Sequence, residues 1–207
     1  MVCMNVRSAS ALLFPLCLIL NAQVIEFESQ GLRYQTLTRN GITIMFAPLP
    51  THVRDYTILQ VAVSNGSPGP YVIKPEDFRY LKNGGDQIEA TPAKTVIAML
   101  MQKGTAADVI KLVSNYENAL YGIPHMRSTN GYEQRRQAAL AFGGSKLRAA
   151  ATASAVALVQ TKLAPGETTD GAVFLSTEGK PLGAGRLQVR TNTDLFDFTA
   201  MRDQDHP

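Results

Sequence analysis

The hydrophobic period of this chain changes twice. Apolar residues alternate over residues 24–90, recur at helical spacing over 91–162, and alternate again over 163–201. A strand shows a period of two and a helix a period of about 3.6, because of where each backbone sends its Cβ atoms. The chain is therefore neither all-α nor all-β. The simplest organisation is one β unit, 23–90 with 163–201, interrupted before its last strands by a helical insertion at 91–162. An unbroken loop of that length is rare in a compact domain, and the strands after it are too few to pack alone.

Within the first β stretch, Leu32, Tyr34 and Thr36 alternate with Arg33 and Gln35, and Ile42, Ile44 and Phe46 alternate with Thr43 and Met45. Asn40-Gly41 between them predicts a two-residue hairpin, since both residues tolerate positive φ. Residues 56–64 are apolar on both parities and predict a central strand. Asn83-Gly84-Gly85-Asp86 predicts a turn between strands at 78–81 and 87–90, and 71–73 is a further short strand.

Four helices are expected in the insertion. Thr91-Pro92 supplies an N-cap followed by proline at the first helical position. Thr105 with Asp108 forms the acidic variant of a capping box, and Asn130 with Glu133 gives a third start. The fourth helix runs from Ser145 to about Lys162. It belongs to a small-residue stretch, Ala138, Ala139, Ala141, Ala149, Ala150, Ala151, Ala153, Ala155 and Ala157, whose size suits close backbone approach. The final strands lie at 172–176, 187–190 and 195–198, and the polar tail 202–207 is expected to be disordered.

Residues 1–22 read as a signal peptide: Arg7, an apolar run at 11–20 and small Ala22 before Gln23. The run is about half the ~20 residues that a membrane span needs. Leu16 before Cys17 disfavours lipid attachment. Cys3 and Cys17 are the two cysteines of the chain, so cleavage leaves no thiol for disulfides, metal or catalysis. The protein is expected to be exported, to the periplasm, the cell surface or the medium.

The segment Leu163-Ala164-Pro165-Gly166-Glu167-Thr168-Thr169-Asp170-Gly171-Ala172-Val173-Phe174-Leu175 leads a Pro-Gly turn into an apolar strand. With Val61-Ala62-Val63-Ser64-Asn65 and Pro75-Glu76-Asp77-Phe78, it resembles bacterial secreted immunoglobulin-like domains. The resemblance covers the β part only and implies a sandwich in an extracytoplasmic setting, and the helical insertion departs from the family pattern. Together with the change of period, this makes the expected fold α+β: an antiparallel immunoglobulin-like β-sandwich with a four-helix insertion before the last strands. The resemblance implies no site residue.

Composition and spacing exclude several chemistries. Twenty Lys and Arg against 17 Asp and Glu, a net charge of +3, make no nucleic-acid clamp. His52, His125 and His206 lie in loops or the tail, with no Gly-x-Ser-x-Gly elbow. Glu76, Asp77, Asp86, Glu89 and Glu167 follow no metal-ligand or glycosidase spacing. Gly143-Gly144-Ser145-Lys146 lacks the strand that precedes a phosphate loop. No catalytic residue, metal or cofactor is expected.

The leading expectation is a non-enzymatic envelope protein acting as a protein-interaction or structural module through its helical insertion. Tyr116, Tyr121, Tyr132, Arg135 and Arg136 are the candidate contacts, because aromatic and Arg side chains make strong anchors. Burial of the tyrosines inside the insertion is the competing fate. The partner would be an envelope protein or a second copy. Two alternatives stand beside this: peripheral membrane association through the Ala-rich helices, and a small-ligand or carbohydrate site where helices meet the sandwich.

Overall fold

The computed structural model describes residues 23–123 and 130–201. Residues 1–22, on which the signal-peptide reading falls, with both cysteines, then His125, Arg127, and residues 202–207 with His206 and the expected disordered tail, lie outside the described residues. In chain order the elements are β1 (Ile25–Ser29), β2 (Leu32–Arg39), β3 (Ile42–Pro48), β4 (Tyr56–Asn65), β5 (Tyr71–Ile73), β6 (Phe78–Lys82) and β7 (Gln87–Thr91). Helices α1 (Ala93–Lys103), α2 (Ala106–Tyr121), α3 (Tyr132–Leu140) and α4 (Ser145–Val156) follow. The chain closes with β8 (Thr161–Leu163), β9 (Thr168–Ser176), β10 (Gly185–Arg190) and β11 (Leu195–Asp197).

The fold is α+β, with a large antiparallel sheet of nine strands ordered β1-β2-β3-β4-β9-β7-β6-β10-β11, and a separate β5-β8 pair. The β2–β3 turn forms at Asn40-Gly41 with φ of 51° and 79°. The two-sided apolar stretch at 56–64 is β4, paired with β3 and β9 in the middle of the sheet.

Two separate sheets facing each other were expected; the strands instead build one continuous sheet, curled into a half-barrel. The curl follows from β7, which uses both of its ends. Gln87, Ile88 and Glu89 pair with β6, and Ala90 and Thr91 pair with β9. Across the opening, Arg39 Nη1 donates to the Leu195 carbonyl at 2.9 Å, and Asn40 Nδ2 to Asp194 Oδ1 at 2.6 Å.

Two cores result. On the inner face, Ile44, Phe46, Leu59, Val61 and Val173 meet Phe78, Tyr80, Leu187, Val189 and Phe196. On the outer face, Leu32, Tyr34, Ile58 and Phe174 meet Val96, Leu100, Leu112, Tyr116, Ala150 and Ala153 of the helices. The helices therefore lie on the sheet and share a core with it.

Helix α4 is the middle of the helical layer, packed against α1, α2 and α3. Its small residues Ala149, Ala150, Ala153 and Ala155 are buried there. It ends at Val156, before the expected Lys162. Ala157 leaves helical geometry, the Leu158 N–H donates to the Ala172 carbonyl at 2.9 Å, and Leu158 enters the inner core. A Cβ on Gly171 would run into the Leu158 backbone, so this crossing needs glycine. Residues 161–163 then form β8. The first helix starts one residue later than its cap motif predicts, because Thr91 is held in β7.

Candidate functional site

All five candidate residues gather at one end of the helical layer, where α2 finishes, α3 begins and α4 meets the sheet. The centre of this cluster is Asp170 of β9, buried at 2% exposure. The strand carries Asp170 on its helix-facing side, in line with Ala172 and Phe174. A buried carboxylate needs hydrogen-bond donors, and among the described residues Tyr116 and Asn130 supply them. The Tyr116 hydroxyl donates to Oδ2. Asn130 Nδ2 donates to Oδ1 at 2.9 Å and to the Asp170 carbonyl at 2.7 Å.

Asn130 also accepts from the Tyr132 N–H through Oδ1 at 2.9 Å. It thus starts α3 from one position further out than a cap, and Gly131 takes the cap position in the left-handed region. Arg135 donates to the Asn130 carbonyl, and to the Ala155 carbonyl at 3.2 and 3.3 Å. A cation at the last carbonyls of a helix is favourable, both for the unpaired carbonyls and for the helix dipole.

Outside this lies a second ring. Tyr132 stacks on Tyr116 with ring centroids 5.0 Å apart, and its hydroxyl donates to Glu117 Oε1 at 3.2 Å. Arg136 pairs with the same oxygen at 2.9 Å. The Tyr121 hydroxyl donates to Glu133 at 3.3 Å. Beside Tyr121 and Tyr132 runs an open groove of about 530 Å³, lined also by Ile123, Asn130 and Gln137.

Burial, reinforced by Asp170, holds the Tyr116 phenol well above its ordinary range. Burial and then Glu117 do the same for Tyr132. Both phenols stay protonated and act as donors. Tyr116 and Tyr132 are buried, so of the five candidates Tyr121 and Arg135 are exposed and Arg136 partly so. The Tyr116–Asp170 pair is closed to solvent; it joins helix to sheet and reaches no external molecule.

Asp170 and Asn130 hold this cluster together, yet neither stands among the sequence candidates. Asp170 reads as part of a polar lead-in to a strand, and Asn130 as a helix cap. One signal was available: an acid followed directly by the apolar run at 171–175 is placed where burial demands partners. Two of the other acids raised by the sequence serve turns. Asp77 accepts from the Lys74 N–H, and Glu167 from the Ala164 N–H. His52 Nδ1 lies 3.0 Å from Thr57 Oγ1, which is buried. Among the described residues, no group of three or more His, Cys, Asp or Glu side chains converges on a common point, and no helix is long and apolar enough to cross a membrane. No protein-family profile, curated protein or solved structure matches the chain.

Proposed function

We propose that this is an exported, non-enzymatic protein of the cell envelope that works as a protein-interaction module through its helical insertion. One observation carries the reading. Eight large apolar side chains stand exposed among the described residues, and five of them, Met101, Ile110, Tyr121, Phe142 and Leu147, lie between Ala93 and Val156. These exposures favour the helical layer over the sheet as the part that makes contacts, with Tyr121 at one end of that layer. Tyr121 and Arg135, with part of Arg136, form the protein-facing end beside the α2–α3 groove. The partner is an envelope protein, and no cofactor is invoked. Export rests on the leader at 1–22. The apposition of the two sheet halves across the inner core supports the immunoglobulin-like reading of the β part.

Site-specific photo-cross-linking tests this in the cell. A photoreactive side chain at Tyr121 is expected to yield an adduct with an envelope protein, and the same group at Arg186, on the sheet, none. No adduct from Tyr121, or equal adducts from both positions, would reject the reading.

A further inference from the structure

The helical layer has a second end, away from the polar cluster. There α1 closes at Lys103 and α2 opens at Ala106, while α3 closes at Leu140 and α4 opens at Ser145. The two turns are neighbours: a Cβ on Gly104 would come within 2.8 Å of the Ala149 Cβ, one turn into α4. This end gathers Met101, Phe142 and Leu147, which are 46%, 44% and 39% exposed, with Lys103, Lys146 and Arg148.

Both turns are fixed in place. Arg148 donates to the Phe142 carbonyl at 3.1 and 3.0 Å, and Arg54 donates to the Lys103 carbonyl at 2.5 Å. The acid at this end, Asp108, is buried and already paired with Arg54 at 2.7 Å. Asp55 sits on the sheet side, its carbonyl bound by the Thr177 N–H.

Charge sorts the same way over the molecule. Residues 93–156 carry eight Lys and Arg against three Asp and Glu. The β residues 23–90 and 163–201 carry nine against twelve. An anionic surface would therefore attract the helices and repel the sheet, orienting the molecule as well as binding it.

We propose that this end docks onto an anionic phospholipid bilayer. Met101, Phe142 and Leu147 enter the boundary between headgroups and acyl chains, and Lys103, Lys146 and Arg148 meet the phosphates. Apolar protrusions flanked by cations are the pattern that binds at a membrane interface. The inference rests on the reading of the insertion as the interaction face. It concerns the end opposite Tyr121 and Arg135, so that one end seats the protein and the other stays free for its partner.

Flotation of the full chain with vesicles tests this, the apolar run 11–20 being common to every variant. Binding is expected to vesicles of phosphatidylglycerol with phosphatidylethanolamine, not to phosphatidylcholine alone, and to fall with salt as screening sets in. Each cation at such a surface is worth roughly fivefold in affinity, so Lys103→Glu with Lys146→Glu should weaken binding roughly tenfold or more. Phe142→Ser with Leu147→Ser should also weaken it, at unchanged charge and unchanged melting temperature. No flotation with the anionic vesicles, or flotation indifferent to both pairs of substitutions, overturns the assignment. If flotation fails while the Tyr121 adduct persists, the lipid assignment falls and the interaction reading stands. If both fail, both fall.

Discussion

Removing the carboxylate of Asp170 would leave the Tyr116 hydroxyl without its acceptor in a site closed to water, while the Asn130 amide would lose the carboxylate but keep the Asp170 carbonyl. Asp170→Ala is therefore expected to cost about 1–3 kcal/mol in urea denaturation, the cost of one buried polar group left unpaired. Tyr116→Phe removes only one donor and should cost about 1–2 kcal/mol. The buried phenols also set an alkaline limit. Burial pushes Tyr34 up to about 12, and Tyr116 and Tyr132 are raised too. A raised phenol favours the folded state fully below the unfolded value of 10.0. That contribution is lost as pH rises from there through the folded values. The denaturation midpoint should hold up to about pH 10 and then fall, with phenolate absorbance at these residues appearing together with unfolding. Of this cluster, the sequence showed the aromatic and Arg members through their residue types. It hid Asp170 and Asn130, because their roles come from contacts 54 and 40 residues apart.

The start of α2 shows what a local motif makes legible and what it leaves out. Thr105 and Asp108 form the expected reciprocal cap. The same carboxylate also receives Arg54 from the β3–β4 connection, at 3.1 and 2.7 Å. No local pattern announces Arg54, whose partner lies 54 residues away. Arg54→Ala should cost about 1–2 kcal/mol: more than an exposed pair, because Asp108 is buried, and less than a fully buried one, because Arg54 is partly exposed. Double-mutant cycles with Asp108→Ala would measure the coupling. The end of α4 was hidden for a similar reason. Alanine propensity continues the helix, but Leu158 is worth more in the inner core than in another turn. Gly171→Ala is expected to cost about 3 kcal/mol or more in thermal denaturation, because backbone rather than a movable side chain blocks the added methyl.

Whether the insertion stands apart or leans on the sheet could not be read from periodicity, which says which face is apolar but not what covers it. The shared outer core answers that, and it makes a prediction for the whole molecule. Helix and strand signals should disappear in a single denaturation transition, with circular dichroism and tyrosine fluorescence superimposing. Two separated transitions would show that the helices fold on their own. Most strand positions and turns were legible, because alternation and Asn-Gly chemistry are local, but β1 is not singled out and β8 reads as the end of a helix. The curl was not, because it depends on β7 changing partner midway along its length.

The pairing of β4 with β9 carries a further consequence. Thr57 and Thr177 touch across it although 120 residues separate them, and helices α1 to α4 lie in between. While the chain is being made, β4 must wait with one backbone edge unpaired and both of its apolar faces uncovered until β9 arrives. Contacts so distant in sequence slow folding and leave sticky intermediates. Refolding from denaturant should therefore be slow and lose yield as concentration rises, and a holding chaperone added during refolding should restore that yield.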